Sequence, residues 1–142
     1  MFTGSKMNKE EQLQTEGKAV LDALSPLIKW QYNDFHQVML AEFSVDKQEQ
    51  VVAALQSVLP HQWDVKSIKK SPEEVKHLAG FFAKLVKNQQ LFSSDYQSQP
   101  KVMVAWWPWG HGATVSIRLF LTNTSEFQPK QSFIQRLSTI FS

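Results

Sequence analysis

The sequence predicts a single α/β domain built on a central mixed four-stranded sheet, with an α+β arrangement as the alternative. Three observations carry this. Residues 101–122 read as a β-hairpin, with two strand-like runs flanking a turn that holds Trp109, Gly110, His111 and Gly112. Residues 36–43 are apolar on both alternating sets, as in a strand covered on both faces. Between and around them lie stretches with the 3.6-residue apolar period of helices. The chain of 142 residues, 42% hydrophobic and 20% charged, suits one globular domain without linkers or repeats.

Taken in order, residues 8–24 predict an amphipathic helix with Leu13, Val20, Leu21 and Leu24 on one face. Pro26 ends or kinks it, and Trp30 and Tyr32 follow in a connector. The strand at 36–43 places Val38 and Leu40 on one side and Met39, Ala41 and Phe43 on the other. Ser44 and Asp46 then offer caps, with Asp46 and Glu49 spaced as a capping box, for a helix burying Val51, Leu55, Val58 and Leu59. Pro60 stops that helix. Residues 61–69 predict a weaker strand.

Ser71, Pro72, Glu73 and Glu74 form a strong helix start. The helix is expected to bury Val75, Leu78, Ala79, Phe82, Leu85 and Val86, and residues 93–100 to be a polar loop. In the hairpin's second strand Val115, Ile117, Leu119 and Leu121 alternate with Thr114, Ser116, Arg118 and Thr122, and Phe120 is the exception on the polar set. A last helix from about Pro129 would place Phe133, Ile134, Leu137, Ile140 and Phe141 on one face.

The resulting order is α-β-α-β-α-β-β-α, whose β-α-β segment should be a right-handed parallel unit. Over residues 36–142 this order resembles the thioredoxin-like fold. Pro100, directly before the third strand, stands where that fold commonly has a cis-proline. The Cys-x-x-Cys that carries the family's chemistry should follow the first strand. Here that place reads Ser44, Val45, Asp46 and Lys47, so the redox activity does not carry over.

Composition excludes further chemistries. With no cysteine there are no disulfides, no thiolate catalysis and no Cys-based zinc site. No cofactor motif is present: there is no glycine-rich phosphate loop, no Gly-x-Ser-x-Gly and no His-Glu-x-x-His. The net charge is +2, and the arginines are Arg118 and Arg136 alone, which argues against sequence-specific nucleic-acid recognition. No apolar run is long enough to span a bilayer. Residues 1–11 lack signal-peptide character, so a cytoplasmic location is expected. Met7 is a candidate natural start, and residues 1–7 are expected to be a flexible terminus ahead of a domain at 8–142.

The most unusual composition lies at the hairpin tip, where Trp106, Trp107, Trp109 and His111 fall within six positions. Read structurally, Trp106 and Trp107 belong to the strand, one per face. Read functionally, exposed indoles form a contact surface for another protein or for self-association, since tryptophan is favoured at interface hot spots. That makes a protein-interaction or regulatory module the expected function.

Two alternatives stand beside it. An enzyme or small-ligand binder would use His36, His61 and His111, if the strands bring them to one edge, or the turn at residues 44–47. A single-stranded nucleic-acid binder would combine the tryptophans with Lys66, Lys69, Lys70, Lys76, Lys84, Lys87 and Lys101, though such lysines more often form a solvated face. Asp64 and Lys66 imitate the end of a nuclease signature without its partner acid in the right element order.

Overall fold

A computed structural model describes residues 8–123. The expected flexible terminus at 1–7 and the helix beginning near Pro129 lie outside the described residues.

The amphipathic stretch at 8–24 forms two short helices, α1 (Lys9–Glu16) and α2 (Lys18–Leu24). Asn8 caps α1 by accepting from the Glu11 amide at 2.8 Å. The break falls at Gly17, where the helix passes so close to the sheet that a Cβ would stand 2.5 Å from Leu119 Cδ2. Four strand spans follow from the expected signals: β2 (Val38–Ser44), β3 (His61–Asp64), β5 (Val102–Pro108) and β6 (Thr114–Leu121). Two more were not expected: β1 (Gln31–Asn33), inside the expected connector, and β4 (Gln90–Ser93), which precedes the expected polar loop and shares only Ser93 with it.

These two additions change the sheet. Its order is β1-β2-β6-β5-β4-β3, and every neighbouring pair is antiparallel. The four-stranded mixed sheet is therefore corrected to a six-stranded antiparallel one. β2 and β3 do run in the same direction, but β6, β5 and β4 separate them, so the parallel pair of the thioredoxin-like order does not form. The physical reason is that β4 supplies the antiparallel neighbour of β5, through Leu91 opposite Ala105 and Phe92 opposite Val104. Nor is there a cis peptide bond at Pro100; its carbonyl accepts from the Thr122 hydroxyl at 2.7 Å. The hairpin lies in the middle of the sheet, not on its edge.

Both faces of the sheet are covered, which keeps the molecule within the broad class of layered helix and strand folds. On the first face Leu13, Val20 and Leu24 of α1 and α2, with Val51 and Leu55 of α3 (Gln48–Val58), pack against Met39, Ala41, Phe43, Phe92, Trp106, Ile117 and Leu119. On the second, Val75 and Ala79 of α4 (Glu73–Ala79), with Ile68 and Leu85, pack against Val38, Leu91, Met103, Ala105 and Phe120.

Local chemistry sets the ends of these elements. The Ser44 hydroxyl accepts from the Asp46 amide at 3.2 Å and caps a 3-10 turn (Val45–Lys47) that leads into α3. The cap is thus Ser44, and the Asp46–Glu49 box does not cap α3, whose first turn follows Lys47 without a side-chain cap. β3 stops at Asp64 because its carboxylate accepts from the amides of Lys66 and Ser67, at 2.9 and 2.8 Å. These bonds hold the Asp64 carboxyl below the usual carboxylate range. The helix starting after Ser71 and Pro72 ends at Ala79, because Gly80 turns to φ +57°. Val86, expected inside, is consequently exposed.

Candidate functional site

The hairpin turn is tightly built. The Trp109 amide donates to Thr114 O at 2.8 Å, and the Gly112 amide to Trp109 O at 3.0 Å. His111 Nδ1 accepts from the Ala113 amide at 3.0 Å, which orients the imidazole, and its ring meets Trp109 edge to face with centroids 5.4 Å apart. The turn is also tied to β2, whose continuation at Val45 donates to Ala113 O at 2.9 Å.

The four predicted tip residues divide among three environments. Trp106 points into the first core, 5% exposed, between Phe43 and Phe92. Trp107 points to the opposite face and is half-buried against Phe82 at 5.7 Å. Trp109, 45% exposed, stands with exposed His111 at the turn. The one-per-face reading of Trp106 and Trp107 is what the strand pleat dictates. Of the three indoles, only Trp109 is largely free for contact.

The three histidines are not brought together. Ser44 pairs with Thr114, and Asp64 with Gln90, itself opposite Trp106, so β2 and β3 both end on the side of the hairpin tip. Their starts, with His36 and His61, lie at the other end of the sheet from His111. His36 and His61 are further separated across β2, β6, β5, β4 and β3, about 19 Å at the usual strand spacing. Among the described residues no three His, Cys, Asp or Glu side chains group as a metal site. The turn at residues 44–47 borders a shallow concavity with residues 25–29, where Lys47 Nζ donates to Leu27 O at 3.2 Å.

A more distinctive arrangement lies on the second face, beside the tip. Trp107 sits directly opposite Ser116, and Arg118 opposite Ala105. Ser116 and Arg118 are two apart on one strand and so share a face, and Arg118 is a diagonal neighbour of Trp107 within reach of a long side chain. The guanidinium lies over the Trp107 ring, 3.8 Å from its centroid. Five buried side-chain polar atoms among the described residues lack a hydrogen-bond partner, and three of them are here: Trp107 Nε1, Ser116 Oγ and Arg118 Nη1. A buried donor left unsatisfied costs about 1–3 kcal/mol, so three on one patch set it apart from the rest of the described interior.

Burial pulls the Arg118 guanidinium below its ordinary pKa, and Glu42 pulls it back up. Glu42 is exposed on β2, opposite Ser116, and no ion pair within 4.0 Å joins it to Arg118. Phe81, 66% exposed, borders this patch with its ring centroid 6.5 Å from that of Trp107.

Of the residues in this arrangement, sequence reasoning singled out Trp107 as a contact residue and considered Glu42 only as an acid beside Asp64 and Lys66; Arg118, Ser116 and Phe81 were not singled out. The available signal was Phe120 on the supposedly polar set of β6. A buried Phe there, stacked on Phe82 at 4.1 Å, means that the whole set faces a covered layer, Ser116 and Arg118 included. No helix among the described residues is long and apolar enough to cross a membrane. Compared with protein-family models, curated proteins and solved structures, the chain matches none of them.

Proposed function

We propose that this chain is a protein-binding module whose contact surface is the aromatic hairpin tip with the adjoining strip of the second face. The observation that carries the reading is Trp109, 45% exposed on a turn pinned at Trp109, Gly112 and Ala113. A large indole held by backbone bonds loses little conformational freedom on binding, which is what an interface anchor requires. Phe81 extends the surface beyond the turn, and Trp107 supplies its half-buried floor. The partner is another protein or a second copy of this chain, and a cytoplasmic setting belongs to the same proposal.

Trp109→Ala and Phe81→Ser, singly and together, test it. Both side chains are exposed, so thermal midpoints should move little. Capture of partner proteins, and self-association followed by light scattering, should weaken by about tenfold or more for the pair. Unchanged assembly and unchanged capture in the double variant overturn the proposal.

A further inference from the structure

We infer that Trp107, Ser116 and Arg118 form a receptor for a carboxylate, presented as an acidic side chain on an extended segment of the partner protein. The inference rests on the binding-module reading and names the chemistry of the partner.

The three side chains converge on one face through strand register alone, with Trp107 opposite Ser116 and Arg118 diagonal to Trp107. An indole N–H and a guanidinium can only donate, and a hydroxyl can do so, so the group that suits all three is an acceptor. The guanidinium adds a positive charge, and its orientation is fixed by the ring beneath it at 3.8 Å. A flat cation held this way offers the parallel N–H pair that fits a carboxylate. Arg118 as a residue is half-buried, while its Nη1, Trp107 Nε1 and Ser116 Oγ are sealed from solvent, so the carboxylate enters as the side chains over them part.

Glu42 selects among anions. It lies opposite Ser116 on the next strand and acts electrostatically on Arg118. With one cation already opposed by one fixed acid, a singly charged carboxylate meets less repulsion than a doubly charged phosphate. Exposed Phe81 and Trp109 flank the patch on the same end of the molecule and supply apolar contact for the residues around the acid.

The test uses the full chain labelled with nitrogen-15, following the Trp107 indole and Arg118 guanidinium resonances. The probes are a blocked tetraglutamate peptide, glutarate and inorganic phosphate. The peptide should shift both resonances and bind tighter than glutarate, and phosphate should bind weakest. Arg118→Gln and Arg118→Lys should each weaken the peptide by about tenfold or more, since lysine keeps the charge but loses the flat donor pair. Glu42→Gln removes an exposed competing carboxylate, carries little folding risk and should tighten peptide binding by about two- to fivefold.

Resonances unmoved by the peptide in both the parent chain and Glu42→Gln overturn the inference, as does an equal response in Arg118→Gln. Phosphate binding tightest overturns the carboxylate, and glutarate matching the peptide overturns the peptide segment as occupant. The two readings fail separately. If Trp109→Ala abolishes partner capture while the probes never bind, the module stands and the receptor falls. If the peptide binds as expected while the Trp109 and Phe81 variants capture partners normally, the receptor stands and the tip surface falls.

Discussion

Gly17 shows how much one missing side chain decides. It stands within a helical stretch where alanine would ordinarily be favoured by close to 1 kcal/mol. Here the new Cβ would meet Leu119 Cδ2 at 2.5 Å and the Leu13 carbonyl oxygen at 2.7 Å. The leucine methyl can move, but the carbonyl belongs to backbone. Overpacking outweighs propensity, and Gly17→Ala is expected to destabilise by about 1–3 kcal/mol in urea unfolding; a gain in stability would show that α1 and α2 shift freely on the sheet. Asp64 acts through charge instead. Its carboxylate accepts from the Lys66 and Ser67 amides, and its pKa is lowered in the folded chain. A lowered folded value means the ionised form favours folding. That contribution is complete above the unfolded pKa of about 3.9 and is lost as pH falls through the folded one. Asp64→Asn should therefore melt lower than the parent at pH 7, with the gap closing as pH falls below the unfolded value. A gap of the same size at both extremes would assign the effect to shape alone.

At the scale of elements, legibility followed period and length. The hairpin was plain in the sequence because β6 repeats Val115, Ile117, Leu119 on one side without interruption, and all three are buried. β4 was not legible: four residues, Gln90 to Ser93, give too few alternations to show a period, although Leu91 and Phe92 are completely buried. β1, at three residues, is shorter still. The run of α4 was overestimated because its apolar spacing continues past Gly80, yet the backbone does not. Gly80 adopts φ +57° and ψ −126°, a region that only glycine enters readily, and nothing lies within 4 Å of where a Cβ would stand. Gly80→Ala therefore isolates backbone strain from packing. It should cost about 1–3 kcal/mol, seen as a lower urea midpoint with an unchanged slope. A stability equal to the parent's would mean that α4 extends into the following turn at no cost.

At the scale of the whole molecule, the sheet serves as a shared wall between two layers of described residues, and the candidate receptor lies on the side of the second. Alternation told which residues of β5 and β6 share a face, and the apolar run at 36–43 pointed to a sheet covered on both sides. Ser116 and Arg118 carry the polar chemistry of a solvated face, so within β6 Phe120 alone showed that the covering extends there. The first layer is anchored by α1, α2 and α3 through Leu13, Val20, Leu24, Val51 and Leu55. Among the described residues, the second rests on the seven residues of α4 and short turns, with Phe82 stacked on Phe120 as its link to β6. Its described part holds little regular structure and should open below the global unfolding free energy. Phe120→Ala removes that link and leaves a cavity under Phe82, a loss of about 3–5 kcal/mol if it acts on the whole fold. The expected outcome is uneven. In native-state hydrogen exchange the amides of Val75 and Ala79 should lose most of their protection, whereas those of Val51 and Leu55 should fall only as far as global stability falls. Equal losses in the two layers would show instead that the sheet couples them into one cooperative unit, and that the edge beside Arg118 is as rigid as the core.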